Sequence, residues 1–279
     1  MTFSRRAFLA SAAASAIAPA FGRSLKSIGA QLYTVRTVLP EKPLETLQAL
    51  EKIGYREVEM SQTGIDQIWP SLLKTKLKPV SIGLDGGLLK AGKVDEAIAD
   101  AKKRGFKYAV YGGMPAADRV GEAEMKRFAG ELNRAGIQCR DAGITLCYHN
   151  HAFEFDPKAG KTPLEVLMEN TERGVVGLEL DIFWAAVAGH DPAAVLERYS
   201  GRVPLLHLKD KAEGTPKGFG SAPRTSFKEV GNGTLDIAKA LRAAQAAGVK
   251  HYFVEQDQTP GDPVESLRQS FDNLRKLNF

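Results

Sequence analysis

The chain has 279 residues, with 38 Lys and Arg against 33 Asp and Glu and two cysteines. A formal charge of +5 is too thin for the concentrated basic stripe that a nucleic-acid binder needs. Cys139 and Cys147 cannot make a disulfide framework; Cys147 lies in an apolar run and reads as a small packed hydrophobe.

The N-terminus begins Ser4-Arg5-Arg6-Ala7-Phe8-Leu9, continues through an alanine-rich apolar run and ends at Ala18-Pro19-Ala20. A basic start, a short apolar stretch and small residues at a cleavage point mark a signal peptide, and the paired arginines point to the twin-arginine route. Residues 1–22 are therefore expected to be a signal for export, to the periplasm or beyond, with residues 23–279 forming one domain. Loss of Arg5 and Arg6, with no acid lost, takes the charge from +5 to +3. No other segment approaches the roughly 20 apolar residues of a spanning helix, so no membrane span is expected.

Short β-rich runs follow at 27–33, 56–60, 78–84, 107–111, 144–149, 175–182, 203–209 and 251–256, with helical patterns between them. Leu44, Leu47, Leu50 and Ile53 form one apolar stripe of helical period, and Val264, Leu267, Phe271 and Leu274 another. Gly54, Gly105, Gly136 and Gly248 each stand where a helix would close before a strand. Eight such β-α units close most simply into a (β/α)8 TIM barrel. An open doubly wound sheet is disfavoured because no Gly-rich phosphate loop follows the first strand.

Barrel enzymes place their chemistry at the C-terminal ends of the strands. Polar residues follow apolar runs there on five of them: Glu59; His149-Asn150-His151; Asp181, then Trp184; His207-Leu208-Lys209-Asp210; and Glu255-Gln256-Asp257. Side chains alternate along a strand, so Thr145, Cys147, His149 and His151 share one face, as do Gly177, Glu179 and Asp181. The smaller, more polar set suits the crowded barrel interior. His149, Asp181, His207 and Glu255 then converge as candidate ligands for a divalent ion. Their mixed imidazole and carboxylate donors suit Mn, Co, Zn, Fe or Ni better than Mg or Ca. A metal-free polar cluster is the plainer reading of each residue taken singly. His190, in a Gly-His-Asp-Pro turn, and His251, at a strand's opening end, read as structural.

At these residues the sequence resembles a known family. Tyr148-His149-Asn150-His151-Ala152-Phe153-Glu154-Phe155, Leu180-Asp181-Ile182-Phe183-Trp184-Ala185, the run from Gly201-Arg202 to His207-Leu208-Lys209-Asp210, Val230-Gly231-Asn232-Gly233 and Val254-Glu255-Gln256-Asp257 are similar to segments of the xylose isomerase-like sugar phosphate isomerase/epimerase family, in its "YHNH" branch. The resemblance implies a metal held by Glu, Asp, His and Glu on strands 5 to 8. Asp181, His207 and Glu255 match the last three, while strand 5 carries His149 in place of Glu. One of the two glutamates that serve such epimerases as an acid/base pair is thus missing, and His151 or Lys209 would have to share the work.

Three functions remain open on this reading. The first is a metal-dependent isomerase or epimerase of a sugar, keto-sugar or inosose acting through an enediolate. Glu255, His151 or Glu59 would move protons, Trp184 would pack on the sugar face, and Asn150, Glu59 and Lys209 would bind substrate. The second is a lyase or hydrolase of 3-keto-glycosides, running β-elimination on the same metal site. The third is a sugar-binding protein without catalysis. Endonuclease IV shares the implied fold but needs more metal-binding histidines than the five present. The expected partner is a small carbohydrate; a homo-oligomer is left open.

Overall fold

A computed structural model describes residues 24–91, 94–157 and 160–279. Its central sheet contains β1 (Gly29–Gln31), β2 (Glu57–Ser61), β3 (Lys78–Leu84), β4 (Tyr108–Tyr111), β5 (Thr145–His149), β6 (Val176–Asp181) and β7 (Leu205–Leu208). After the short pair β8 (Asp210–Lys211) and β9 (Phe227–Lys228), β10 (His251–Val254) completes it. The parallel strands close in the order β1-β10-β7-β6-β5-β4-β3-β2. All eight barrel strands expected from the sequence are present, most trimmed by a residue or two at their ends. The antiparallel pairing of β8 with β9 was not anticipated. The signal segment expected at 1–22 lies outside the described residues, and no helix among those described is long and apolar enough to cross a membrane.

Two hydrophobic regions follow from strand alternation. Outward residues such as Leu146, Leu178, Leu180 and Leu206 are fully buried against the helices. Inward residues Val80, Val110, Cys147, Leu205 and Phe253 form a separate plug inside the barrel, on which the polar strand ends rest. Gly29 admits Phe253 to this plug: a Cβ there would lie 2.5 Å from Phe253 Cδ1. Cys139 and Cys147 are both buried and free.

Helices terminate largely as their sequences dictate. Gly54 and Gly248 cap the helices Pro43–Ile53 and Ile237–Ala247 with positive φ, and Gly105 takes φ +86 after Arg104. Gly136 does not cap. The helix Glu122–Asp141 runs through it, and Gly143, with φ +81, takes the left-handed position before β5. A Cβ at Gly136 would stand 2.7 Å from Val175 Cγ1 and 2.9 Å from Val175 O. The glycine is therefore a close-approach residue where this helix crosses the start of β6.

Gly136→Ala tests that reading. Helix propensity favours alanine by about 1 kcal/mol, but overpacking against a carbonyl that cannot step aside costs about 1–3 kcal/mol. The variant should melt below the parent in a thermal denaturation scan; a melting temperature at or above the parent's would show that the contact is slack.

Candidate active site

Parallel registration brings the strand-end residues together over two adjacent layers. His149 pairs with Glu179, Asp181 with His207, and His207 with Phe253. Because all of these face inward, their side chains converge on the barrel axis. His149 Nε2 lies 4.0 Å from Asp181 Oδ2, and the His149 and His207 rings are 4.6 Å apart between centroids. His207 Nδ1 lies 2.8 Å from Glu255 Oε2 and 3.9 Å from Asp181 Oδ2. The four residues expected to gather round a metal are thus gathered, and each is at least nine-tenths buried.

Lys209 enters the same cluster. Its Nζ stands 2.9 Å from Asp181 Oδ2, 2.8 Å from Glu255 Oε2 and 2.6 Å from Asp257 Oδ1. Burial alone would depress the ammonium's pKa, but Asp181, Asp257 and Glu255 outweigh it and hold it well above the usual lysine value. Burial would likewise raise the Glu255 carboxyl; Lys209 and His207 prevail and keep it well below the normal carboxylate range.

Beneath this layer lies a second carboxylate pair. Glu179 is fully buried, with Oε2 3.2 Å from His149 Nδ1 and 3.4 Å from His207 Nε2. Burial, then the charge of Glu59, pushes its pKa well up. Sequence parity put Glu179 on the inward face but assigned it no role. The carboxylate that strand 5 lacks therefore has a neighbour one strand over, at the position registered with His149.

Glu59, expected at the substrate, lies lower. It accepts hydrogen bonds from Gln31 Nε2 at 2.7 Å and from Ser81 Oγ, and pairs with His207 Nε2 at 3.0 Å. At 2% exposure it braces His207 from below and does not line the mouth. Asn150, also expected at the substrate, is fully buried; its Oδ1 accepts from Asp181 N at 3.0 Å. It ties the end of β5 to the end of β6. Glu59 spends its oxygens on buried neighbours below the mouth, while Asn150, between His149 and His151, falls by strand alternation on the other face.

His151, Trp184 and Lys209 do border open space. A cavity of about 630 Å³ lies over the cluster, bounded by Gln31, Tyr33, Arg36, His149, His151 and Asp257 among others. His151 forms part of its wall; burial, then Lys209, lowers its pKa to about 4. Trp184 lies on the far side of His151, the two rings 5.7 Å apart. His190 packs on Phe155, and His251 pairs with Glu57 at the opening end of β10; neither reaches the mouth.

The glycine-rich Val230–Gly233 motif finds its explanation next to Lys209. Asp210 Oδ2 accepts from the backbone N–H groups of Gly231 and Gly233, at 2.9 and 3.0 Å. A Cβ on Gly233 would collide with Asp210. The motif anchors the chain just after β7 and so fixes Lys209.

The donor set suits a divalent ion. His149 Nδ1, His207 Nδ1, Asp181 Oδ2 and both Glu179 oxygens are buried without an aligned hydrogen-bond partner among the described residues, a costly state for polar atoms. Asp181, His207 and Glu255 can each offer one donor atom within 4.8 Å of the others, as can His149, Glu179 and His207. Such mixed N and O donors are those of transition-metal sites.

A barrel with a histidine–carboxylate cluster at its strand ends defines a class of enzyme scaffolds. Residues 47–277 match the xylose isomerase-like TIM barrel family, and the chain belongs to it. A sugar phosphate isomerase/epimerase structure from Parabacteroides distasonis superposes with TM-score 0.78 at 21% identity, covering 91% of this chain and 99% of that one. The IolI protein, solved with a bound zinc atom, gives TM-score 0.71 at 15% identity, covering 91% and 99%. In sequence, an inosose dehydratase from Geobacillus kaustophilus is 35% identical over 92 residues, 33% of this chain and 29% of that protein. Other inosose dehydratases match over about half of their length.

Glu154 lies in the turn after β5, within the Tyr148–Phe155 motif. It is fully buried and accepts from the His151 backbone N–H at 2.8 Å and from the Tyr148 hydroxyl, so it holds the turn that carries both histidines. Burial, partly offset by these bonds, raises its pKa from 4.5 to about 7. Between those values the folded chain binds this proton more tightly than the unfolded chain. Its contribution to stability is therefore largest below pH 4.5 and is lost as pH rises to 7, about 3 kcal/mol in all. Glu154→Gln should flatten that part of the stability–pH curve, read by denaturant unfolding from pH 4.5 to 7.5; an unchanged slope would contradict the assignment.

Proposed function

We propose that the protein is a metal-dependent lyase that eliminates a β-leaving group, water in the simplest case, from a keto-sugar or keto-cyclitol. The observation that carries this is an imidazole and an ammonium together on the cavity wall, His151 and Lys209, beside the Asp181, His207 and Glu255 donors. An imidazole can accept a proton and an ammonium can donate one. An elimination uses one of each. Epimerisation at a single carbon asks for two acceptor-capable groups on opposite faces. Of the carboxylates that could fill that second place, Glu255 belongs to the metal-donor set, Asp257 pairs with Lys209, and Glu179 lies beneath the histidines.

Asp181, His207 and Glu255 would hold the metal, with His149 as fourth donor. When bound, the ion supplies Lewis-acid polarisation of the substrate carbonyl. His151 then accepts the proton from the carbon beside that carbonyl, and Lys209 donates toward the departing oxygen or steadies the charge developing on it. Trp184 closes the wall beyond His151. Relatives named inosose dehydratase support the elimination reading over isomerisation. The isomerase/epimerase names belong to structures alike in fold only.

Two histidine variants separate holding the metal from moving the proton. His149→Ala should lower metal content, measured by elemental analysis after dialysis. His151→Ala should keep the metal and lose turnover by about 10²–10⁴-fold on a panel of inososes and keto-sugars. Products are followed by mass spectrometry in deuterated water. Loss of water from the substrate supports elimination; return of a deuterated epimer would replace it with the isomerase reading. Metal loss in His151→Ala alone would reverse the two assignments.

A further inference from the structure

The small net charge of the chain hides an uneven distribution. In a (β/α)8 barrel the strands begin, and the helices end, on the face opposite the mouth. On that face the neighbouring strands β1 to β4 form an arc of bases. Lys26 precedes β1, Arg56 precedes β2, Lys74 and Lys76 lead to Lys78 at the start of β3, and Lys107 precedes β4. Backbone hydrogen bonds hold these segments side by side: Arg56 N donates to Ile28 O, Lys78 N to Arg56 O and Lys107 N to Val80 O. All six basic residues are exposed, and none forms an ion pair among the described residues. The acids beside them are committed. Glu51 accepts from Lys76 N at 3.3 Å, and Glu57 pairs with His251 Nδ1 at 2.9 Å. Asp66 and Asp100 are both taken by Arg104.

A helix C-terminus attracts bases, which accounts for Lys52, Lys102 and Lys103 in the last turns of Pro43–Ile53 and Val94–Arg104. It does not account for Lys26, or for Lys74, Lys76 and Lys78, which lie beyond a helix, Ile65–Leu72, with no base in its last turn. Like charges gathered this way repel one another unless an anionic surface meets them. Leu73 stands beside these lysines at 68% exposure. An apolar side chain ringed by bases suits the headgroup layer of a bilayer, where both parts find a partner.

The entry point of the chain favours the same partner. Leu25 and Ile28 are buried in the outer core just before β1, so the chain reaches the barrel through this face. The sequence ahead of it runs from Ala7 to Ile17 without a charged residue, the apolar stretch of the expected export signal. Stable attachment to a bilayer takes two signals, such as an apolar segment and a basic patch. We propose that this face docks on a bilayer of anionic phospholipid, with Leu73 in the headgroup layer and the lysines against the lipid phosphates. The cavity then opens away from the membrane, toward the solution from which a soluble carbohydrate arrives. The docking is independent of the chemistry at the mouth.

The test sediments the full chain with vesicles of phosphatidylcholine, alone or with phosphatidylglycerol. An apolar leader partitions into both, so the difference is read. The anionic vesicles should bind at least tenfold more tightly at about 0.1 M salt and lose that preference at about 0.5 M. Lys74→Glu/Lys76→Glu/Lys78→Glu should abolish the preference. Lys42→Glu/Lys217→Glu/Lys228→Glu, the same charge change at exposed lysines on the mouth side, should keep most of it. No preference, or equal loss in both triple variants, overturns the proposal. Should the first variant melt well below the parent, Lys74→Gln/Lys76→Gln/Lys78→Gln is read in its place, with the same sign expected. Leu73→Ser should weaken vesicle binding severalfold. A short DNA duplex bound more tightly than the anionic vesicles, with Leu73→Ser moving neither, would make this a nucleic-acid surface instead. Orientation is read from a dye on Lys103→Cys or on Ser221→Cys, since both native cysteines are buried. Brominated lipid should quench the first and spare the second; equal or reversed quenching overturns the orientation.

Discussion

Taking a charged group out of water costs several kcal/mol, and the cost is recovered only where opposite charges and hydrogen bonds meet it in good geometry. At the mouth of this barrel Asp181, Glu255, His207 and Lys209 are all buried, and each depends on the others. Lys209 is held between three carboxylates. His207 is held between Glu59 below and Glu255 above. Remove one member and an uncompensated charge remains in a closed site, which is the expensive case. Much of the surrounding architecture serves to keep this cluster in register.

That service is visible in residues with no contact to the cavity. Asn150 ties the end of β5 to the end of β6. Asp210, gripped by the N–H groups of Gly231 and Gly233, fixes the chain directly after Lys209. Arg202, at the other end of the barrel, donates to Met168 O, Val176 O and Thr171 Oγ1, pinning the start of β6 to the end of a preceding helix. The strands that carry Asp181 and His207 are thereby clamped at both ends. Catalytic geometry asks for tolerances of about half an ångström, and rigid strands supply them better than loops.

The barrel was legible because alternation and helical period are local signals, repeated eight times. The inward convergence of His149, Asp181, His207 and Glu255 was legible from strand parity alone. Depth along the axis was not. Parity cannot say that Glu179 sits one layer below Asp181, against both histidines, or that Glu59 spends its oxygens on Gln31, Ser81 and His207. Gly136 misled because a glycine near the end of an apolar period looks like a cap; its real neighbour, Val175, is distant in sequence. A cavity beside Trp184 is assembled from segments after β4, β5 and β6 and from the Phe219 loop, and no periodicity marks where irregular segments meet.

The central claim is that these buried donors form one divalent-metal centre. Anomalous diffraction from crystals soaked in manganese or zinc tests it most directly. The expected result is a single strong peak per chain at about 2.0–2.3 Å from Asp181, His207 and Glu255, with His149 as the fourth donor. A peak elsewhere, or none at this cluster in protein that binds metal stoichiometrically in solution, would contradict it and leave Lys209 as the cation the carboxylates were built to hold.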